Sequence, residues 1–108
     1  MVKAILESDV ERELIKRVKA CGGRAEKVTV LGTRGFFDRL VVLPGGVVAF
    51  VECKKPKGGR MSAHQIERAR IYKALGAVVA QIYDLADIDR LLSAHEKGRA
   101  EGEPERSL

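Results

Sequence analysis

Two apolar runs on either side of a Pro-Gly-Gly turn constrain this chain more than any other feature. The first run spans Leu40 to Leu43 and the second spans Val47 to Val51, a pattern that predicts a β-hairpin. Charged residues lie at the ends of the runs that are remote from the turn: Asp38 precedes the first run, and Glu52 and Lys54 follow the second. The hairpin therefore predicts a cluster of charges at its open end.

Strand geometry predicts how these charges are arranged. Because side chains alternate between the two faces of a strand, Glu52 and Lys54 share one face and Cys53 points the other way. If residues 44–46 form a three-residue loop, counting outward from the turn places Asp38 opposite Glu52. Directly opposed Cβ atoms lie ~4.5–5.5 Å apart, and like charges at that distance destabilise a sheet. A two- or four-residue loop would instead move Asp38 to the other face.

Two carboxylates side by side on an apolar hairpin require a compensating cation. Hard oxygen ligands that leave room for water suit Mg²⁺ or Mn²⁺. Lys54, two residues beyond Glu52, could orient a water molecule or neutralise developing negative charge. These are the components that metal-assisted phosphodiester hydrolysis needs, so we expect Mg²⁺ or Mn²⁺ as the cofactor and no organic cofactor.

The spacing of Asp38 and the Glu52-Cys53-Lys54 triplet resembles that of the PD-(D/E)xK nuclease superfamily, with Phe37 in place of the proline that usually precedes the aspartate. The surrounding sequence is similar to one branch of that superfamily, the VRR-NUC family in its stand-alone form. The shared features are a glycine three residues before the aspartate, a hairpin between the acids, a helix that opens with Ser62-Ala63-His64-Gln65, and an upstream helix that contains Glu11. The resemblance covers residues 8–84.

The resemblance implies a site and a homodimeric nuclease. The catalytic set that it implies is Asp38, Glu52, Lys54 and Gln65. The metal ligands that it implies are Glu11, Asp38, Glu52 and the backbone carbonyl of Cys53. Stand-alone VRR-NUC proteins are similar to archaeal Holliday junction resolvases, so the resemblance also implies a homodimer that cuts branched DNA, and it fits a phage or mobile-element nuclease.

Glu11 and Gln65 each have a second, purely structural interpretation. Ser8 and Glu11 have the spacing of a helix capping box, and so do Ser62 and Gln65. Glu11 is therefore either a metal ligand or the cap of its own helix, and the sequence leaves both open. One amide in one rotamer cannot fully meet both roles, so for Gln65 we favour the role in the site.

The element signals predict a single α/β domain in the order α-β-β-β-α-β-α. This order contains the restriction-endonuclease-like αβββαβ core that the resemblance implies, a mixed sheet flanked by helices, and adds a C-terminal helix. The first strand is predicted over Arg24–Leu31, and the last, over Ala77–Tyr83, is expected to run parallel to the strand that carries Glu52. We expect the domain to span residues 1–94 and a flexible charged tail to span residues 95–108.

Positive charge is concentrated beside the acids. The net charge of +5 and the pI of about 9.5 favour a polyanionic partner, although an ordinary basic protein has the same composition. Lys55, Lys57 and Arg60 lie in a glycine-containing loop directly after the Glu-Cys-Lys triplet, and Arg34 lies just before the aspartate strand. We expect these four residues to contact the DNA backbone, which sets affinity and salt dependence rather than sequence preference.

Other features of the sequence indicate the cellular compartment of the protein. Its two cysteines, Cys21 and Cys53, form no CxxC pair, which indicates a reducing, intracellular compartment. The chain has no secretory signal and no apolar run approaching ~20 residues, so we expect a cytoplasmic protein without a membrane partner, which is compatible with a phage-encoded protein in a bacterial host.

The function that these features predict is a divalent-metal-dependent DNA endonuclease, structure-selective on branched DNA such as four-way junctions. Two alternatives stay open: a non-catalytic nucleic-acid-binding subunit with the same fold, and a non-selective nuclease. A sequence-specific restriction endonuclease is disfavoured, because the chain has no insertion long enough to read bases in a groove.

Overall fold

Three helices and four strands build the part of the chain that the structure describes. The structure, a computed structural model, describes residues 3–33 and 35–100, with side chains described as far as residue 94. The elements are α1 Glu7–Ala20, β1 Arg24–Lys27, β2 Arg39–Leu43, β3 Val47–Cys53, α2 Ala63–Ala74, β4 Val78–Ile82 and α3 Leu85–Ala100. This is the predicted α-β-β-β-α-β-α order, and the additional C-terminal helix is present.

The four strands form one mixed sheet in the spatial order β1-β2-β3-β4. β1 and β2 are antiparallel, as are β2 and β3, whereas β4 is parallel to β3, as predicted. Leu43 pairs with Val47, so the hairpin loop has the three residues that the register argument requires. Gly45 and Gly46 both have positive φ, at 90° and 79°, which explains why this turn needs two glycines.

The main core lies on the face of the sheet that α1 and α3 cover. It is an aliphatic cluster drawn from α1, the hairpin, β4 and α3. Its buried members are Val10, Leu14, Val18, Val41, Leu43, Ala49, Val51, Cys53, Ile82 and Ile88. Alternate residues of β3 belong to it, so the intervening residues, Glu52 among them, point to the opposite face.

An aromatic cluster packs α2 against that opposite face. Phe36, Phe37, Phe50 and Tyr72 contact one another with ring centroids 5.0–6.1 Å apart, mostly edge to face. Phe50 comes from the middle of β3, and the two phenylalanines before β2 bring the aspartate segment to the same place. This cluster therefore anchors both the helix and the strand start beside the open end of the hairpin.

Two element boundaries differ from the sequence expectation. α1 begins at Glu7, and the Asp9 carboxylate accepts the backbone N–H groups of Leu6 at 2.8 Å and Ile5 at 3.1 Å, so Asp9 rather than Ser8 caps it. β1 ends at Lys27 instead of continuing to Leu31. The Val28 N–H still bonds to the Asp38 carbonyl at 3.0 Å, but beyond it the chain leaves the sheet because β2 begins only at residue 39.

The C-terminal boundary also extends past the expected position. Asp84 accepts the Asp87 N–H at 2.9 Å and so caps α3, as predicted. The α3 backbone continues through His95 to Ala100, so the first part of the expected tail is helical. The remainder of that tail, residues 101–108, lies outside the described residues. None of the helices described is long and apolar enough to cross a membrane.

Candidate active site

The open end of the hairpin brings Asp38 and Glu52 together. The last paired residues of β2 and β3 are Arg39 and Val51, so the next step of the register sets Asp38 across from Glu52. Asp38 Oδ2 accepts the backbone N–H of Cys53 at 3.0 Å, which holds this carboxylate at the end of β3. Glu52 is 1% exposed, in spite of its charge. The two carboxylates form the acidic pair that the three-residue loop predicts.

Burial and the neighbouring negative charge favour the protonated form of Glu52. Burial raises the pKa of Glu52 to about 8, and the charge of Asp38 together with a hydrogen bond to it acts in the same direction. The nearby Lys54 ammonium opposes this rise without cancelling it. Near neutral pH Glu52 therefore keeps its proton, and a divalent cation that binds there has to displace it.

Gln65 contacts the acidic pair and also caps α2. Its amide nitrogen lies 2.9 and 3.0 Å from the two carboxylate oxygens of Glu52. Its amide oxygen accepts the Ser62 N–H at 2.9 Å, while the Ser62 hydroxyl accepts the Gln65 N–H at 3.1 Å. The expectation that one amide could not serve both roles was wrong, because the two ends of the amide point in opposite directions.

Glu11 does not cap its helix. Its Oε2 accepts a hydrogen bond from Arg39 Nε at 2.8 Å, and Arg39 also donates to the Ala25 carbonyl at 3.2 Å. The Ser8–Glu11 capping box expected from the sequence is therefore wrong. Arg39 was not singled out by sequence reasoning, since a lone arginine at a strand start carries no recognisable signal.

Cys53 lies among acids but turns its thiol into the core. It is 1% exposed, and burial raises the pKa of its thiol to about 12, with further contributions from nearby carboxylates. Those carboxylates belong to Asp38, Glu11, Glu52 and Glu7. A thiol with this pKa stays protonated, so the group that Cys53 can offer to a cation is its backbone carbonyl.

Glu7 is an acid near the site that sequence reasoning missed. Its charge contributes to the raised pKa of Glu52 and of Cys53, less than any of the other groups that raise them. The available signal was its spacing, since residues four apart on a helix share a face, and Glu7 precedes Glu11 by four. α1 therefore presents two acids toward the site rather than one.

The described residues contain no ready-made cage of three or more histidine, cysteine or acidic side chains. Two carboxylates and a carbonyl instead supply a partial set of hard oxygen donors. This chemistry fits Mg²⁺ or Mn²⁺, which keep water and take substrate oxygens as their remaining ligands. The buried acids support the same fit, because a cation that displaces the proton on Glu52 offsets the repulsion between the two carboxylates.

The basic loop comes directly after the Glu52-Cys53-Lys54 triplet in the sequence. Lys55, Lys57 and Arg60 are exposed, between β3 and α2. The loop is tightly folded: a Cβ at Gly59 would lie 2.4 Å from the Lys55 carbonyl oxygen. The three cations therefore stay close to the end of β3. Arg34, the fourth predicted DNA contact, lies outside the described residues.

Gly35 joins the aspartate segment to the start of α2. Its φ is +70°, and a Cβ there would lie 2.5 Å from the His64 backbone carbon. Gly35→Ala is expected to lower the free energy of unfolding by about 2–5 kcal/mol, from left-handed strain and overpacking combined. Gly32→Ala is the matched control, since Gly32 has φ +75° but nothing within 4 Å of a Cβ. Urea unfolding measures both; equal losses would show that the contact with α2 is not tight.

The fold matches a known class of nuclease domain. A solved structure described as a "VRR_NUC domain" superposes on the chain with a TM-score of 0.77 and 32% sequence identity, covering 83% of this chain and 97% of that one. The fold of this chain is therefore that of a VRR-NUC domain, with the additional C-terminal helix α3.

A comparison of sequences also relates the chain to a nuclease. The "Putative nuclease p44" of Acyrthosiphon pisum secondary endosymbiont phage 1 is 40% identical over 94 residues, which are 86% of this chain and 98% of that protein. No family model matches the sequence. At this identity and coverage, the chain belongs to the VRR-NUC family of nucleases.

Proposed function

We propose that this protein is a divalent-metal-dependent endonuclease of the PD-(D/E)xK type that hydrolyses phosphodiester bonds in DNA. The observation that carries the proposal is the buried pair of Asp38 and Glu52, with Lys54 beside it, at the end of an apolar hairpin. A pair of this kind costs stability unless it binds a cation, and a site built only to bind DNA gains nothing from acids that face a phosphate.

Each side chain has a role that follows from its position. Asp38, Glu52 and the Cys53 carbonyl hold the metal, which when bound lowers the pKa of a water ligand and neutralises charge on the phosphate. Lys54 orients the attacking water or stabilises the developing negative charge. Gln65 keeps both oxygens of Glu52 in one orientation through its amide nitrogen. No covalent intermediate with the enzyme is needed.

α1 supplies a further acid to the metal, and Glu11 is the residue we propose. The Arg39 guanidinium that binds one oxygen of Glu11 fixes the direction of its carboxylate. Glu7, one turn earlier, is the alternative within the same helix. Single Gln substitutions compared by Mn²⁺ titration distinguish them, since loss of a ligand should weaken Mn²⁺ binding far more than loss of a nearby charge.

We further propose that the enzyme is a homodimer that selects branched DNA such as four-way junctions. A domain of this size covers few base pairs, and a two-fold dimer presents two sites to two strands. The phage origin of the p44 relative supports a phage or mobile-element nuclease that acts in the cytoplasm of a bacterial host. The alternatives are a non-selective nuclease and a non-catalytic binding subunit.

One cleavage assay separates these possibilities. Labelled four-way junction, duplex, single-stranded and flap DNA are incubated with Mg²⁺, Mn²⁺ or EDTA, with Glu52→Ala as the control. Symmetric, metal-dependent cuts in the junction alone are expected. Cleavage of every substrate would keep the nuclease and remove the junction selectivity. Tight binding without cleavage would favour the non-catalytic subunit.

Replacing Lys55, Lys57 and Arg60 with Ala is expected to weaken binding to every DNA shape and to reduce the salt dependence of binding. Contacts with the DNA backbone release counterions, so losing three of them reduces the magnitude of the negative slope of log K against log salt by roughly 2–3. Fluorescence anisotropy at several salt concentrations measures both quantities.

The control for this loop variant removes the same charge elsewhere. Lys16, Lys19 and Lys27 are exposed and lie in α1 and β1. Their triple Ala variant should leave the salt slope much closer to that of the wild type. A loss confined to one DNA structure in the loop variant would show that the loop reads shape instead of charge.

A further inference from the structure

The first turn of α2 is linked to the acidic pair through Ser62 as well as Gln65. Ser62 touches no part of the acidic pair, but it bonds to Gln65 twice. Its hydroxyl accepts the Gln65 backbone N–H at 3.1 Å, and its own N–H donates to the Gln65 side-chain oxygen at 2.9 Å. The other end of the same amide contacts both oxygens of Glu52. One side chain therefore links the helix cap to the acid.

The Ser62 N–H decides which end of the amide faces Glu52. A backbone N–H is a donor only, so it pairs with the carbonyl oxygen of the Gln65 amide and not with its nitrogen. The nitrogen is thereby directed at the carboxylate. If the amide turned over, its oxygen would face the Glu52 oxygens and its nitrogen would face the Ser62 N–H, so the hydrogen bonds at both ends would be lost.

The segment that precedes Asp38 also fixes the position of the first turn of α2. Gly35, three residues before Asp38, lies so close to His64 and the Gln65 nitrogen that a Cβ there would approach them to 2.5 and 2.8 Å. The Asp38 segment and the first turn of α2 are thus in direct contact. The turn has little room to shift, so the hydrogen bond from Ser62 acts on Glu52 through a rigid connection.

We propose that Ser62 is a positioning residue for Glu52. Its backbone N–H orients the Gln65 amide, and the amide holds the carboxylate in the orientation that binds the metal. The inference rests on the proposed metal-dependent cleavage for its consequence in catalysis. The hydrogen-bonded arrangement itself can be tested without activity.

Two substitutions at Ser62 separate the effect of its backbone N–H from that of its hydroxyl. Ser62 has φ −72° and ψ 163°, values that proline adopts, so Ser62→Pro removes the N–H without straining its own backbone. Ser62→Ala removes only the hydroxyl. Both variants lose the hydroxyl cap, so the difference between them reports the N–H alone.

Ser62→Pro is expected to lower kcat and Mn²⁺ affinity by about 10–100-fold relative to Ser62→Ala, with the KM for DNA unchanged. Ser62→Thr, which retains both groups, should match the wild type. In NMR spectra the Gln65 side-chain amide signals should move in Ser62→Pro and stay in place in Ser62→Ala. Equal kcat, Mn²⁺ affinity and amide signals in the Pro and Ala variants would overturn the proposal.

The readouts also separate this proposal from the proposed function. If the wild type cuts no DNA, the nuclease proposal fails, but the Gln65 amide signals still decide whether Ser62 orients the amide. If Ser62→Pro does not fold, hydrogen exchange of the Ser62 N–H replaces it. Protection in the wild type that disappears in Gln65→Ala supports the bond, and an unprotected Ser62 N–H in the wild type rejects it.

Discussion

Glu52→Gln and Asp38→Asn are each expected to reduce DNA cleavage by roughly three orders of magnitude or more, with DNA binding retained or tightened. Each amide keeps the size of the acid it replaces but removes a charge that the metal needs, and stabilisation of this kind accounts for ~10²–10³-fold or more per lost group. Binding does not fall, because the acids repel the phosphate backbone. Single-turnover cleavage in Mg²⁺ and anisotropy in EDTA measure the two effects; Glu52→Ala and Asp38→Ala should behave alike.

The control for these variants is another acid on the same side of the molecule. Glu67 is exposed on α2 and forms an ion pair with Arg70, away from the acidic pair. Glu67→Gln changes net charge by the same amount as Glu52→Gln and should leave cleavage near the wild-type rate. Substantial cleavage by Glu52→Gln or by Asp38→Asn would show that the site has been assigned wrongly.

The metal-free protein is expected to lose stability as the pH rises from about 5 to above 8. The pKa of Glu52 is raised from 4.5 to about 8, so the folded state holds a proton that the unfolded state has released over this range. The stability from this proton is fully present below about pH 4.5 and is lost as pH rises through about 8. The free energy of unfolding should fall by an amount on the order of a few kcal/mol over this pH range.

Glu52→Gln tests the origin of this fall, because Gln does not titrate. In EDTA the variant should show a much flatter dependence of Tm on pH, and at pH 8 it should be more stable than the wild type. Mg²⁺ or Mn²⁺ should stabilise the wild type more at pH 8 than at pH 6, since only the ionised pair binds the cation. The same decline in Glu52→Gln as in the wild type would assign it to other groups.

Much of the fold and the pairing of the acids could be predicted from local patterns. The apolar runs, the Pro-Gly-Gly turn and the alternation of side chains are short-range features, and they determine the hairpin register. That register sets Asp38 across from Glu52 and turns Cys53 into the core. The order of the elements follows in the same way, from periodicity and caps such as Ser62 and Asp84.

Contacts between distant segments could not be predicted from these patterns. Arg39 and Glu11 are 28 residues apart, and their ion pair depends on where α1 crosses the sheet. The capping pattern at Ser8 was misleading for the same reason: both interpretations of Glu11 were local, and its actual partner comes from another element.

What the sequence by itself determined is the hairpin, its register and the pair of acids that the register brings together, because these depend on a period of two residues and a turn of three. The tertiary structure alone decided which groups surround that pair. Packing of α2 through the aromatic cluster brings Gln65 onto Glu52, and the contact at Gly35 sets the first turn of α2 against the aspartate segment. Burial, which only the assembled layers create, then raises the pKa of Glu52.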